Sequence, residues 1–268
     1  MKLTMLGTGN AGVKNLYNTC FALSEGENHF LVDAGGGNRI LKILDEVKIP
    51  LTGIHDIFVT HEHVDHLLGV IWLIRMVGQK MGQDKYGGDL RIYCHRQLAD
   101  VIRTITQMTI QKKLTDYFDD RIKFIPLNDG DTRQIISCEV TFFDIGSTKA
   151  RQFGFMLRNA QGQKITCCGD EPYNECEADY VKDSDWLLHE AFCLYQEADK
   201  FLPYEKHHST VKEACELAAG LEVPNLILYH TEETHGDERK KLYTAEGKQF
   251  YRGNLYVPDD LEVIELLS

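Results

Sequence analysis

Four residues with metal-binding side chains follow the apolar run Ile57–Val59: His61, His63, Asp65 and His66. Such side chains are costly in a protein core unless something binds them, because burial removes their hydration. A turn can point His61 and His63 at one cation, and Asp65 and His66 at a second cation or at the water between the two. The alternative is a solvated loop before a helix, with Asp65 as its cap. The density of the cluster favours a metal centre.

The segments around this cluster alternate between short apolar strands and helices. The pattern of His55–Thr60 predicts a strand that leads into the cluster, and the apolar spacing of Leu67–Met81 predicts a helix after it. Gln97–Thr115 predicts another helix, and Thr210–Gly220 predicts one that begins with a capping box. Because polar residues stand at strand ends, the sequence predicts an α/β layered domain with its site at a strand-end rim.

The bulk composition is that of a single globular domain. No linker or repeat divides the 268 residues, so we expect one domain over residues 1–268. The first residues contain no apolar stretch typical of a signal peptide, and the longest apolar run, near Leu67–Ile74, is too short to span a membrane. Eight cysteines without paired metal or disulfide spacings predict reduced, mostly buried thiols and a cytoplasmic location.

The charge balance limits the class of partner. Lys and Arg total 29 and Asp and Glu total 41, which gives a net charge of −12. This balance disfavours a long, sequence-independent grip on nucleic acid, because such a grip needs a basic surface. A phosphate-containing substrate stays compatible, because bound metal ions supply positive charge.

The spacing of the His/Asp cluster resembles the HxHxDH signature of the metallo-β-lactamase superfamily. Asp33 resembles the early structural aspartate of that family, Asp170 after Cys168-Gly169 resembles its metal-bridging aspartate, and His230 after an apolar strand resembles its last histidine ligand. The resemblance covers nearly the whole chain. It implies an αββα sandwich of two mixed sheets flanked by helices. It also implies two divalent ions, zinc with manganese or iron as alternatives, on His61, His63, Asp65, His66, Asp170 and His230.

Two further segments resemble the ribonuclease Z-like branch of the superfamily, one containing Glu190 and the other His208-Ser209-Thr210. In that branch the glutamate pairs with the loop histidine, which protonates the leaving oxygen, so the resemblance gives these roles to Glu190 and His208. A carboxylate can orient and charge an imidazole for general-acid work. Ser209 and Thr210, at a helix start, are suited to bind an anionic oxygen of the substrate. The alternative is a plain helix cap beside a surface histidine.

The sequence departs from the family pattern at the third histidine of the first metal. That residue should precede the segment Gln152–Phe155 by a few positions, but no histidine lies between His95 and His189. Our interpretation is that Gly146 occupies the vacant position. The residue there is either an engineered substitution or part of a natural copy with reduced activity.

A lost ligand predicts a weakened first metal position. His61, His63 and Asp170 can still hold an ion there, because three protein ligands and an open position suit catalytic zinc. Asp144 lies close in sequence and is a candidate substitute ligand.

A second departure concerns the substrate. The long basic arm of the tRNA-processing members is missing between His66 and Phe143. We therefore expect a phosphodiesterase for a small phosphodiester or nucleotide-type substrate, in which Asp65 orients a metal-activated water and Glu190 with His208 assists the leaving alkoxide. The alternatives are a thioester, lactone or β-lactam hydrolase, and a ligand-binding protein on an attenuated hydrolase scaffold. Related proteins also suggest a homodimer.

Overall fold

A computed structural model describes residues 1–266. The backbone groups into two compact units. The first unit contains Met1–Gly7, Tyr17–Asn128 and the described chain from Leu261 onward. The second unit contains Thr8–Leu16 and Asp129–Asp260.

Helices and strands alternate along the chain. In chain order they are β1 (Lys2–Gly7), β2 (Cys20–Glu25), β3 (Asn28–Val32), α1 (Arg39–Glu46), β4 (Ile54–Phe58), α2 (Val64–Met81), β5 (Leu90–His95), α3 (Arg96–Thr109), α4 (Lys112–Thr115), β6 (Ile122–Leu127), β7 (Thr132–Ile135), β8 (Cys138–Asp144), β9 (Phe153–Arg158), β10 (Lys164–Cys167), α5 (Ala178–Val181), β11 (Trp186–Glu190), α6 (Ala198–Phe201), α7 (Val211–Gly220), β12 (Asn225–Tyr229), α8 (Arg239–Gly247), β13 (Asn254–Tyr256) and β14 (Val263–Glu265).

The first unit is built on a mixed sheet with the strand order β14-β1-β2-β3-β4-β5-β6. The strands from β14 to β3 pair antiparallel, and those from β3 to β6 pair parallel. The apolar faces of α1, α2 and α3 pack into one core with this sheet. Parallel strands end at the same sheet edge, so the residues after β3 and β4 come together there. Asp33 follows β3, and the segment with His61 follows β4.

The second unit is built on a mixed sheet with the strand order β13-β12-β11-β10-β9-β8-β7. The strands from β10 to β13 pair parallel, and those from β7 to β10 pair antiparallel. Helix α7 buries Val211, Ala214 and Ala218 against this sheet, a spacing typical of one apolar helix face. The parallel strands again deliver polar residues at one edge: Asp170 after β10, Glu190 at the end of β11 and His230 after β12.

The two mixed sheets with flanking helices confirm the predicted fold class. The helix predicted at residues 97–115 is wrong in one respect, because it is divided into α3 and α4. Ile110 leaves the helical conformation (φ −113°, ψ 147°), and its side chain is buried in the core of the first unit. Tertiary packing here outweighs local helix propensity. The capping box of Thr210 and Glu213 is present as predicted.

Two further expectations concern the thiols and the membrane. The eight cysteines are free, and all except Cys176 are buried. Within residues 1–266, none of the helices combines the length and apolar character that crossing a bilayer requires. The single domain over residues 1–268 stays a prediction.

Candidate metal centre and acid–base pair

The first unit brings four of the predicted metal ligands together. The loop after β4 carries His61, His63 is the N-cap of α2, and Asp65 and His66 lie in its first turn. His61 and His66 are each 1% exposed, whereas His63 is exposed to solvent. The His61 Nε2 and His63 Nδ1 atoms lie 2.9 Å apart, and His66 Nε2 lies 3.4 Å from Asp65 Oδ2. The four residues that lie close together in the sequence are therefore also close together in the structure.

Asp33 orients this cluster from the end of β3. Its carboxylate accepts hydrogen bonds from the backbone nitrogen and the hydroxyl of Thr60, at 2.9 and 2.8 Å. The His66 Nδ1 atom lies 2.7 Å from the same carboxylate. A histidine held in this way at one ring nitrogen presents the other nitrogen in a fixed direction, as metal-binding histidines commonly do. Asp33 has a positive φ of 55°, a conformation often seen at functional sites.

A glycine at position 69 allows α2 to pack closely against the segment that follows Asp33. A Cβ atom at Gly69 would lie 1.8 Å from the carbonyl oxygen of Ala34, so only glycine fits this contact. The Gly69 nitrogen donates to the Gly35 carbonyl at 2.8 Å, and the Ala34 nitrogen donates to the His66 carbonyl at 3.1 Å. These bonds fix the start of α2 against the segment that follows Asp33.

The second unit brings the other two predicted ligands together. The His230 Nε2 and Asp170 Oδ2 atoms are 3.6 Å apart, and both residues are buried. His230 follows β12 and has a φ of 59°, which is rare for a residue with a side chain. The next residue, Thr231, donates its backbone nitrogen to the Thr8 carbonyl at 2.9 Å. The backbone hydrogen bond of Thr231 therefore helps to hold the strained conformation of His230.

Gln152 contacts Asp170 from the start of β9, a role that the sequence did not predict. Its side-chain amide donates to Asp170 Oδ1, and its carbonyl oxygen accepts from the Asp170 nitrogen at 3.3 Å. Gln152 is 1% exposed. The only signal in the sequence is a polar amide directly before an apolar strand, which by itself does not indicate a partner. The amide leaves Asp170 Oδ2 directed toward His230.

Tyr229 supports the same turn from β12. Its hydroxyl donates to the carbonyl oxygen of Gly169, the residue before Asp170. Burial raises the pKa of the Tyr229 hydroxyl well above its usual value, so the group stays protonated and remains a donor. A tyrosine within an apolar strand is also a common core residue, which is why its role was not apparent in the sequence.

The predicted acid–base pair lies beside these ligands. Glu190 is fully buried at the end of β11, and its Oε2 atom lies 3.5 Å from Nδ1 of His208. The His208 ring stacks on Phe192, with ring centroids 5.0 Å apart and an angle of 7° between the planes. Its centroid is also 5.1 Å from that of His230. The imidazole is therefore held next to a candidate metal ligand, with a carboxylate behind it.

Ser209 and Thr210, the predicted substrate-binding residues, lie directly after His208. The Ser209 nitrogen donates to Oε1 of Glu190. The Thr210 nitrogen and hydroxyl donate to Glu213 at 2.8 and 2.7 Å, as part of the capping box of α7. Both residues are buried. These donors hold Glu190 and the start of α7, and contact with substrate stays a prediction.

Comparison with known proteins gives the family. The sequence model described as "Anti-Pycsar protein Apyc1" matches residues 1–251. The chain belongs to this family. The ribonuclease Z of Crocosphaera subtropica is 25% identical to the chain over 282 positions, with 86% of each protein covered.

Two solved structures are similar over almost the whole chain. The metallo-β-lactamase fold protein YhfI from Bacillus subtilis has a TM-score of 0.78 at 18% identity, with 98% of each chain covered. The short form of human tRNase Z has a TM-score of 0.75 at 22% identity, with 100% of each chain covered. Together these similarities confirm the metallo-β-lactamase fold and the ribonuclease Z-like resemblance. The Apyc1-family chain is a metal-dependent hydrolase.

The hairpin between β8 and β9 is the place where the third histidine was expected. Gly146 has a φ of 71°, and a Cβ atom there would lie 3.1 Å from Asn174 Nδ2 and 3.1 Å from Cys176 Sγ. A side chain at this position would therefore begin against those two residues, in a conformation that favours glycine. Asp144, the candidate substitute, accepts from the Gly146 nitrogen at 3.0 Å and from Arg151 Nε at 3.0 Å. The weakened first metal position stays a prediction.

A cavity of about 290 Å³ lies in the second unit next to the acid–base pair. Its lining includes Gly146, Glu171, Asn174, Tyr204 and His208. Glu171 accepts from the Ser147 hydroxyl at 2.7 Å, which ties the hairpin to this wall. This volume is near the lower end for pockets that bind small molecules. His208 is therefore one of the residues that line a small open cavity of the second unit.

The donor groups in each unit fit a divalent ion. In the first unit, the buried Asp65 carboxylate lies 3.4 Å from the buried His66 imidazole, and His61 contacts the exposed His63, so a cation would offset the charge of the carboxylate. In the second unit, a buried carboxylate and an imidazole lie 3.6 Å apart, too far for a mutual hydrogen bond. Imidazole nitrogens and carboxylate oxygens are the usual ligands of zinc and manganese.

Proposed function

We propose that this Apyc1-family protein is a phosphodiesterase that hydrolyses a small phosphodiester or nucleotide-type substrate. The buried Glu190 behind His208 is the observation that carries the proposal. Esters of alkoxide leaving groups, such as phosphodiesters, need a proton at the departing oxygen. A thioester releases a thiolate and needs this proton less, so the pair argues against a thioester. A lactone also releases an alkoxide, and the ribonuclease Z relatives favour a phosphodiester over it.

We further propose that two divalent ions bind the six predicted ligands, with zinc as the leading candidate and manganese or iron as alternatives. These ligands are His61, His63, Asp65, His66, Asp170 and His230. When bound, such ions lower the pKa of water and offset the negative charge of phosphoryl oxygens. The support is the chemistry of the donor groups in each unit together with the family to which the chain belongs.

Asp65, His208 and Glu190 have separate roles in the proposed reaction. Asp65 accepts a hydrogen bond from the attacking water and orients it. His208 has its Nδ1 atom 3.5 Å from Glu190, so its Nε2 atom is the one that protonates the leaving oxygen. Glu190 stabilises the charged imidazole and accepts the Ser209 nitrogen, which keeps the loop with His208 in place.

Three observations favour a small substrate over RNA. The cavity beside His208 has a volume of about 290 Å³. The net charge is −12, which is unsuited to a long polyanion. The segment between α2 and β5 is only a short connection, without an arm. The names ribonuclease Z and tRNase Z belong to relatives that act on RNA, which supports phosphodiester chemistry.

The test is a panel of substrates given to one preparation of metal-loaded protein. The panel contains bis(p-nitrophenyl) phosphate, linear and cyclic small nucleotides, precursor tRNA, a lactone, a thioester and a β-lactam. We expect turnover of one or more small phosphodiesters, with kcat/KM above that for every other class. Turnover confined to the lactone, thioester or β-lactam would support the alternative hydrolase. Tight binding of a nucleotide without turnover would support the ligand-binding alternative.

The remaining predictions concern the domain organisation, the oligomeric state and the cellular location. We propose that residues 1–268 act as one hydrolase domain, as a homodimer, in the cytoplasm. Light scattering of the purified protein would test the dimer, and fractionation of the producing cells would test the location.

A further inference from the structure

Three metal-binding side chains meet in the second unit at a place that the six predicted ligands do not include. Glu197 lies in the segment after β11, and Glu232 and His235 lie in the segment after β12. One ligand atom from each residue lies within 4.8 Å of the other two. The His235 Nε2 atom is 2.6 Å from Glu197 Oε2 and 3.9 Å from Glu232 Oε1.

One buried oxygen of Glu232 lacks a hydrogen-bond partner within the part of the chain that the structure describes. Its side chain is 5% exposed, and its Oε2 atom accepts from the Thr234 nitrogen at 2.6 Å. Among residues 1–266, its Oε1 atom has no hydrogen-bond partner, although it is directed toward His235. A buried carboxylate oxygen in this state is costly unless a cation or donor meets it. The atom therefore points to a ligand.

Two basic side chains of the same unit, Arg239 and Lys200, contact other atoms than the three proposed ligand atoms. Arg239 donates to the Thr231 hydroxyl, the Pro258 carbonyl and Asp259. Lys200 contacts Glu197 at its other oxygen, Oε1, at 3.2 Å. Two carboxylates thus face one imidazole, and a divalent cation would balance their charge.

We propose that Glu197, Glu232 and His235 form an additional site for a divalent first-row transition ion such as zinc. One nitrogen and two oxygen ligands with an open position for water suit this class of ion. Binding would release the proton between His235 Nε2 and Glu197 Oε2 to solvent, the ion would contact both atoms in its place, and Nδ1 would keep its hydrogen. The ion also contacts the free Oε1 atom of Glu232. Small side-chain rotations bring the three ligand atoms to metal-binding distances.

The site would link the two segments that carry catalytic candidates. The Ala191 nitrogen donates to the Tyr229 carbonyl at 2.9 Å, and the Glu232 nitrogen donates to the Phe192 carbonyl at 2.8 Å. Glu190 directly precedes the first of these segments, and His230 lies two residues before Glu232. A cation here adds a side-chain connection to the backbone pairing. Its role is to stabilise the rim, and it takes no part in proton transfer.

The test measures the zinc content of a variant in which the proposed catalytic centre is disrupted. Asp170→Asn protein is stripped with chelator, dialysed against dilute zinc and measured by mass spectrometry. We expect about one zinc per chain, and none after His235→Gln or Glu232→Gln is added. Glu216→Gln, which removes a half-exposed carboxylate of the same unit, is the matched control and keeps the zinc.

Thermal unfolding gives a readout that is independent of activity. In the Asp170→Asn background, zinc at about a hundredfold over its Kd should raise Tm by roughly 5–10 °C. Adding His235→Gln should remove this rise. A lack of bound zinc in Asp170→Asn protein, or equal zinc with and without His235→Gln, would overturn the proposal. The cluster would then be His235 in contact with two carboxylates, without a metal ion. Because occupancy is read without turnover, failure here is distinct from failure of the phosphodiesterase proposal.

Discussion

The contact between His208 Nδ1 and Glu190 Oε2, at 3.5 Å, is longer than a good hydrogen bond. Catalytic contacts are often long without substrate and shorten in the reacting complex, so this distance is compatible with an acid–base pair. Stacking on Phe192 limits the motion of the ring and keeps it ready for that step. The pair therefore predicts an effect on turnover that is separate from metal binding.

His208→Ala should lower kcat by roughly 10²–10⁴-fold, because the leaving oxygen loses its proton donor. Metal content per chain should not change, since His208 is not among the proposed ligands. His55→Ala, at a half-buried histidine of β4 outside the proposed centre, is the control and should retain activity. Loss of metal together with kcat in His208→Ala would mean that the residue is a ligand and not an acid.

Asp170 has the largest predicted effect of any single residue. Asp170→Ala removes the carboxylate that lies between Gln152 and His230, so activity and the metal bound at the six predicted ligands should fall to background. Metal content per chain and turnover should be measured on the same preparation of the variant. Turnover that survives in a folded Asp170→Ala protein would refute the bridging role.

Gln152 provides a more selective change. Gln152→Leu keeps the volume and removes both hydrogen bonds to Asp170, so the carboxylate is no longer held toward His230. Support of this kind is typically worth about 10–100-fold in metal affinity. Titration with a chromogenic metal indicator measures it, with Gln161→Leu at an exposed position as the control. An unchanged affinity would mean that Gln152 only fills space.

At the level of elements, the predictions from sequence succeed where the signal is local. The His61–His66 cluster follows a strand and opens α2, so neighbouring positions in sequence are neighbours in space. Gln152 and Asp170 lie eighteen positions apart and meet because β9 pairs with β10. The contact between their side chains is not apparent from the residue types alone. The break at Ile110 was missed for the same reason, since burial in the core decides it.

The segment that leads into α5 contains a buried glutamate, and we expect it to make the stability of the fold depend on pH. Glu177 is fully buried, and burial raises its pKa from 4.5 to about 8, although a hydrogen bond from the Asn174 nitrogen acts against this shift. Between these two values the folded protein binds one more proton than the unfolded chain. The free energy of unfolding contributed by Glu177 therefore falls as pH rises through this window.

Glu177→Gln should remove this dependence, because glutamine stays neutral. Urea unfolding at pH 5 and pH 8 should show a smaller loss of stability in the variant, by on the order of a few kcal/mol. Glu175→Gln, at an exposed position in the same turn, should behave like the unchanged protein. Parallel pH profiles for Glu177→Gln and the unchanged protein would mean that Glu177 is already ionised in the fold.

For the whole molecule, composition limits the charge of a partner, but it does not indicate the size of the substrate. The net charge of −12 and the missing arm both argue against RNA, and they were visible in the sequence. The cavity beside His208 was not, because Gly146, Glu171 and Tyr204 come from distant segments that only the fold assembles. Substrate size is therefore a property of the folded unit, whereas composition limits only the charge of the partner.

The charge of the whole chain leads to a prediction about salt. A protein that grips RNA through 6–10 phosphates loses about 10³–10⁵-fold in affinity between 50 and 200 mM salt. With 41 acidic against 29 basic residues, we expect weak binding of precursor tRNA even at 50 mM salt, measured by fluorescence anisotropy. For a small phosphodiester, kcat/KM should change by less than about threefold over the same range, because few phosphates are contacted. Micromolar RNA binding with a steep salt slope would require a basic surface despite the net charge, and the substrate proposal would then move to RNA.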